Sequence, residues 1–139
     1  MFGVIVCTHS TLAEGLKNAI DMIVGPQEDF DVFCFMNGDD VEELSGRLNK
    51  AVDDYIDRNI PCCIMVDLFA ATPFNASLAI SIQKGIDVIT GVNLPLLLEV
   101  LLSRTTLDSK DIHGFLEKSL NSVKESMKVY NGIELESEG

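Results

Sequence analysis

The sequence predicts an α/β fold, an open and mostly parallel sheet of order 2-1-3-4 with helices on both faces. Three observations carry that reading. Strand-like runs alternate with helical periodicity in the order β-α-β-α-β-α-β, which favours parallel crossovers. The runs are apolar throughout rather than alternating, as in strands buried on both faces. The 139 residues suit one domain with a substantial core.

The elements follow in order. Phe2 to Cys7 reads as the first strand. Thr11-Leu12-Ala13-Glu14 has the form of a capping box, and Leu12, Leu16, Ala19, Ile20 and Ile23 recur at helical spacing until Gly25-Pro26. Asp31 to Met36 is the second strand, and Asn37-Gly38-Asp39-Asp40 turns into a helix with the stripe Val41, Leu44, Leu48, Ala51, Val52 and Tyr55. Its first turn is crowded with carboxylates, which the helix dipole favours. Pro61 to Val66 is the third strand, and Asp67 to Ala71 a loop. Thr72-Pro73 signals a helix with threonine as N-cap and proline first inside. That helix runs to about Lys84, and Ile86 to Thr90 is the fourth strand. Leu94 to Arg104 is a helix apolar nearly all round, which must be buried and suits a subunit interface. A last helix follows Ser109, with Ile112, Phe115, Leu116, Leu120, Val123 and Met127 on one face. Met127 to Tyr130 reads as a short fifth strand, and Asn131 to Gly139 as an acidic tail with weak structure signals.

Composition narrows the function. A formal charge of −12 argues against nucleic acid and favours a basic partner or simple solubility. No run is long enough to span a bilayer; Leu94 to Leu102 is short and contains Glu99. The N-terminus lacks a basic segment and cleavage site and reads as a strand, not a signal peptide. Cys7, Cys34, Cys62 and Cys63 lie in apolar runs without zinc-ligand spacing, so free buried thiols are expected, with Cys7 near enough to His9 to raise a reactive thiol as the alternative. No metal set and no cofactor are expected: the histidines stand far apart without an H-E-x-x-H pattern, and no glycine-rich phosphate cradle or G-x-x-x-x-G-K-[ST] occurs.

His9 and Asp67 are the residues that suggest chemistry. In an open α/β sheet, ligands bind beyond the carboxyl ends of the strands where the order reverses, here between strands one and three. Neighbouring strands lie about 4.8 Å apart, so His9 after strand one and Asp67 after strand three come within hydrogen-bond reach. An unperturbed imidazole titrates near ~6.5 and presents a neutral nitrogen at neutrality. A carboxylate on one ring nitrogen sets the tautomer and leaves the other as nucleophile. The helix starting at Thr72-Pro73 points N–H groups at the same edge, a natural phosphate site. Thr72 and Ser10 act there either as phosphate donors or as caps. The bland alternatives are a polar surface histidine and a turn aspartate. His113, near the start of the last helix, is expected to be exposed.

Val6-Cys7-Thr8-His9, Val66-Asp67-Leu68-Phe69-Ala70-Ala71-Thr72-Pro73-Phe74-Asn75 and Gly91-Val92-Asn93-Leu94-Pro95 resemble the mannose-type IIA component of the bacterial phosphoenolpyruvate:sugar phosphotransferase system. The resemblance runs from Phe2 to about Tyr130, giving a phosphocarrier domain at 1–130 and an acidic tail at 131–139. It implies a cytoplasmic phosphotransferase component without a cofactor. The protein would take a phosphoryl group from phospho-HPr and pass it to a IIB component. IIB then phosphorylates sugar entering through a membrane permease, which this chain meets only indirectly. His9 would carry the group on Nε2, Asp67 would orient it, and Thr72, Ser10 and Ala71 would surround the phosphate. The resemblance also implies a homodimer exchanging an antiparallel strand at Met127 to Tyr130. With no IIB segment in the sequence, IIB is expected as a separate chain. Ser10, Ala70 and Ala71 stand where the family commonly has glycine, so the loop's donor geometry is expected to differ. A non-catalytic regulatory module of this fold and the phosphotransfer subunit of dihydroxyacetone kinase are the alternatives; Thr72-Pro73-Phe74-Asn75 and Asn93-Leu94-Pro95 favour sugar transport.

Overall fold

A computed structural model of the chain describes residues 1–107 and 111–138. Ser109, the expected start signal of the last core helix, lies outside the described residues. Strands β1 (Gly3–His9), β2 (Phe30–Phe35), β3 (Cys62–Val66) and β4 (Asp87–Ile89) form one sheet in the order β2-β1-β3-β4, every pairing parallel. The expected 2-1-3-4 order is therefore present.

Alternate side chains of the central strands feed two cores. Val4 and Val6 of β1, with Cys63 and Met65 of β3, face one layer. That layer is made by α1 (Leu12–Val24), α4 (Leu94–Ser103) and α5 (Ile112–Lys124). Ile5, Cys7, Ile64 and Val66 face the other, made by α2 (Val41–Asp57) and α3 (Thr72–Lys84). Both faces of the sheet are covered, which is why these strands show no polar alternation. Gly3 is required where α2 crosses β1: a Cβ there would fall 2.6 Å from the Tyr55 ring. Tyr55 is buried and donates its hydroxyl to Asp31 Oδ2 at 2.5 Å, tying α2 to β2.

Several local expectations are corrected. β1 extends to His9, which pairs with Phe35 as the strand's last residue instead of following the strand. The capping box at Thr11 does not form. Thr11 is the N-cap without a side-chain hydrogen bond, and Thr8 Oγ1 inside β1 accepts the Ala13 N–H at 2.8 Å instead. Leu12 and Ile23, placed on the inner stripe of α1, are exposed, as is Val41 at the start of α2. α3 is capped by Ala71, so Thr72 is its first residue and not its N-cap. In α4, Leu96, Leu97, Val100 and Leu101 are buried within this chain's own core, so burial alone does not require a partner subunit.

The C-terminus differs most. Met127 to Tyr130 forms no strand in the single chain and is exposed, with Met127 off the core that its stripe predicted. The acidic tail contains a helix, α6 (Gly132–Glu138). An exchanged strand has its partner in another chain, so a monomer gives it no ladder to join.

Arg104 was not singled out by the sequence. It opens a short 3-10 turn after α4 and is 1% exposed. Its Nη1 donates to the carbonyls of Phe2 and Asp29, each at 2.9 Å, and Nη2 donates to that of Glu28. One guanidinium thus joins the end of α4 to the start of β1 and to the α1–β2 loop.

Candidate active site at the β1–β3 switch point

The sheet brings His9 and Asp67 together at the carboxyl edge, where crossovers leave in opposite directions. Asp67 directly follows β3 and His9 ends β1. The His9 Nδ1 lies 2.9 Å from Asp67 Oδ2, and the His9 backbone N–H donates to the same oxygen at 3.0 Å. The other carboxylate oxygen accepts the Leu68 N–H at 3.0 Å. One carboxylate therefore holds both the ring and the backbone of His9. Burial pushes the Asp67 pKa up, but the hydrogen bonds from His9 and the backbone outweigh it and leave the pKa below the ordinary carboxylate value. Asp67 is accordingly an anionic acceptor at neutral pH, and Nδ1 is the protonated ring nitrogen. Nε2 has no hydrogen-bond partner among the described residues, and the His9 side chain is 41% exposed.

Neighbours that sequence reasoning missed complete this support. Phe35, opposite His9 in the β1–β2 register, presents its ring edge-on to the imidazole with centroids 6.4 Å apart. Thr8 donates its hydroxyl to the His9 carbonyl at 3.2 Å while capping α1. Phe35 was discoverable from register, because it ends β2 as His9 ends β1. Thr8 was not, because the bond that uses it crosses from a strand into the next helix.

The positions where the family commonly has glycine behave individually. Ser10 has φ +52° and Ala70 has φ +62°, both left-handed, whereas Ala71 has φ −101° and is unstrained. Ser10 is exposed, and its N–H donates to the Phe35 carbonyl at 2.8 Å. The loops thus follow a glycine-like path at two positions despite carrying side chains, which costs an L-residue about 1–2 kcal/mol at each. Ala70→Gly is therefore expected to stabilise the fold by about 1 kcal/mol, glycine's extra unfolded-state entropy offsetting part of the relief. A urea denaturation midpoint at or below that of the parent would contradict the strain.

Thr72 stands at the N-terminus of α3 beside this edge. Around the site Leu12, Met36, Leu68 and Phe69 are exposed, and Phe69 rests against Phe74 with ring centroids 5.0 Å apart. Cavities of about 390 and 420 Å³ at the starts of β3 and β4 include neither His9 nor Asp67 among their walls. The histidine sits on open ground.

The remaining candidates separate from the site. His113 is exposed, as expected, with Nδ1 2.6 Å from Asp87 Oδ1 and Nε2 2.9 Å from Glu117 Oε1. The four cysteines are free. Burial first, then the Asp67 charge, pushes the Cys7 thiol up to about 12, which removes the reactive-thiol alternative. Among the described residues no cluster of His, Cys, Asp or Glu could hold a metal, and no helix is long and apolar enough to cross a membrane.

The fold and site define an open parallel α/β protein with an aspartate-oriented imidazole at its topological switch point. Residues 3–119 match the family model described as the PTS system fructose IIA component. The chain is 34% identical over 113 residues to the fructose-specific EIIA component of Bacillus subtilis, covering 81% of this chain and 77% of that one. It is 28% identical over 116 residues to the sorbose-specific EIIA component of Lacticaseibacillus casei, covering 83% of each. Its structure superimposes on phosphotransferase system component EIIA from Streptococcus agalactiae with a TM-score of 0.83 at 27% identity, over 93% of this chain and 97% of that one. The chain belongs to the mannose-type IIA family of the sugar phosphotransferase system, as the three sequence segments imply.

Proposed function

We propose that this protein is a cytoplasmic phosphocarrier that accepts a phosphoryl group on His9 Nε2 from phospho-HPr and delivers it to a IIB component for sugar uptake and phosphorylation. The observation carrying this reading is the Nδ1 contact with Asp67 at 2.9 Å, which leaves Nε2 as the ring's lone-pair nitrogen. That lone pair attacks the phosphorus of the donor phosphohistidine. The donor N–P bond breaks, its electron pair returns to the donor imidazole, and a new P–N bond forms at His9. Asp67 keeps its bond to Nδ1–H and balances the positive charge the ring gains. Thr72, Ser10 and Ala71 border the incoming group, which carries about −1.5 to −2 charges near neutrality. Thr72 and Ala71 bring the first turn of α3, whose N–H groups favour an anion. Transfer to IIB is the same step with His9 as donor.

The open surroundings of His9 suit a carrier that must admit one protein and then another. Exposed Leu12, Met36, Leu68 and Phe69 supply apolar contact, and the net charge of −12 favours a basic donor. A homodimer is part of the proposal. β4 is an edge strand with a groove of about 240 Å³ beside it, walled by Val88, Thr90, Leu116 and Leu120. The exposed Met127 to Tyr130 segment is suited to add to such an edge in a second copy.

The test is to incubate the protein with phosphoenolpyruvate, enzyme I and HPr. One acid-labile, base-stable phosphoryl group per chain is expected, discharged when IIB is added. Failure to discharge to IIB would instead give a regulatory module. Asp67→Asn is expected to slow both half-reactions about 100-fold, because a neutral amide neither selects the tautomer nor balances the ring charge. Unaltered single-turnover rates would remove Asp67 from the mechanism.

A further inference from the structure

Asn-Gly occurs twice in this sequence, at Asn37-Gly38 and Asn131-Gly132; every other asparagine precedes a residue with a side chain. The step is chemically weak, because glycine has no Cβ to keep its amide nitrogen away from the neighbouring carboxamide. The structure treats the two sites differently. Asn131 is engaged at the start of α6: its Oδ1 accepts the Ile133 N–H at 2.9 Å and the Glu134 N–H at 3.4 Å. Asn37 is exposed in the turn that follows β2. Neither its carboxamide nor the Gly38 N–H has a hydrogen-bond partner among the described residues. The Asp39 N–H donates to the Met36 carbonyl at 3.1 Å and Gly38 has φ +84°, a tight turn whose central peptide is left to water.

We propose that Asn37 is a modification site, deamidated without an enzyme to aspartate and isoaspartate. Hydroxide removes the Gly38 amide proton. The nitrogen attacks Asn37 Cγ, forming the new C–N bond of a succinimide ring. The Cγ–Nδ2 bond breaks, and Nδ2 leaves as ammonia with that electron pair and a proton from water. Water then opens either carbonyl of the ring, so one water is taken up and one ammonia released overall. A carboxyl group replaces the carboxamide and is ionised at neutrality. Attack at Cγ restores the chain as aspartate. Attack at the other carbonyl routes the chain through Cγ as isoaspartate, one methylene longer. The change lies beside the edge that bears His9. The turn leaves Phe35, whose carbonyl accepts the Ser10 N–H and whose ring flanks the imidazole. An extra methylene cannot keep both the Met36–Asp39 backbone bond and the Met36 N–H bond to Asp39 Oδ2 at 2.8 Å. The new carboxylate joins Asp39 and Asp40 and repels an incoming phosphoryl group. Slower phosphoryl acceptance follows, and only this consequence rests on the phosphocarrier reading.

The test incubates the folded full chain in warm, mildly alkaline buffer and follows its proteolytic peptides by mass spectrometry. Isoaspartate is read by methyl transfer from S-adenosylmethionine by an isoaspartyl methyltransferase. The Asn37 peptide is expected to gain about 1 Da at least about 5-fold faster than the Asn131 peptide, the factor that one hydrogen bond to the carboxamide sets. In urea the two rates should converge, because the selection comes from the fold; rates that stay apart there overturn it. An Asn37 peptide of unchanged mass overturns the proposal, as does a folded protein in which Asn131 reacts as fast as Asn37. A mass gain that persists in the same peptide of Asn37→Ser places the reaction elsewhere and overturns it too. Isoaspartyl protein, separated by anion exchange, is expected to accept phosphoryl from phospho-HPr at least about 3-fold more slowly than the parent. An equal rate removes the consequence and leaves the site. A parent that accepts no phosphoryl overturns the phosphocarrier reading and leaves the site.

Discussion

His9→Ala is expected to abolish phosphoryl acceptance completely, while His113→Ala leaves it at the level of the parent protein. Two histidines are present, and their surroundings separate them. Both His113 nitrogens are taken by carboxylates, Asp87 at 2.6 Å and Glu117 at 2.9 Å. Acceptance of both contacts by ionised carboxylates requires two N–H donors, the imidazolium form, which has no lone pair to offer. The hydrogen bond and charge of Asp87, followed by Glu117, raise the His113 pKa and so extend that protonated state to higher pH. The same carboxylates would repel an incoming phosphoryl group. His9 meets one carboxylate through Nδ1 alone, leaving Nε2 for attack. The check is labelling from phosphoenolpyruvate through enzyme I and HPr, read as counts retained in base and lost in acid. Full labelling of the His9→Ala protein would refute the assignment, whatever the behaviour of His113→Ala.

Arg104→Met is expected to destabilise the fold by about 3 kcal/mol, the net of several orphaned acceptors against relief of a buried charge. Methionine replaces the aliphatic stem of this buried side chain but not its guanidinium head, so a small void adds to the loss. What disappears is a fork of donors to the carbonyls of Phe2, Glu28 and Asp29. These carbonyls belong to the start of β1 and the loop before β2, so their loss loosens the edge from which the parallel pairing grows. Burial lowers the Arg104 pKa, and the Asp29 charge acts against that shift. Arg104→Lys should recover only part of the loss, because an ammonium cannot reproduce the planar fork. Urea denaturation monitored by circular dichroism measures both. An Arg104→Met midpoint equal to that of the parent would mean that water satisfies the carbonyls as well as the guanidinium does. His9 labelling should persist in the folded fraction, since Arg104 contacts the other end of β1.

How far the sequence reached is best seen element by element. The uninterrupted apolar runs of β1 and β3 announced strands buried on both faces, and the two cores explain why. The placement of His9 and Asp67 followed from those runs, because a parallel strand's carboxyl end is where its connection leaves. Signals that depend on one or two side chains transferred poorly. Thr11 and Glu14 have capping-box identities, yet Thr8 takes the helix N–H from within β1. Thr72 resembles an N-cap, yet Ala71 occupies that position in extended conformation. Both are competitions between local hydrogen bonds of about 1 kcal/mol, and such differences are decided by where the strand delivers the chain.

By itself, the sequence determined the layer architecture and the edge of the sheet that bears His9 and Asp67. Those features rest on many apolar residues acting together, and on the rule that parallel crossovers expose the strands' carboxyl ends. Only the tertiary structure decided that the His9 backbone N–H shares Asp67 Oδ2 with the ring, that Ser10 and Ala70 are left-handed while Ala71 is not, and that Arg104 is buried against three carbonyls. Each of these depends on distances between segments remote in sequence. Periodicity describes which face a residue occupies, but a hydrogen bond forms or fails within a fraction of an ångström, and that precision is set by packing.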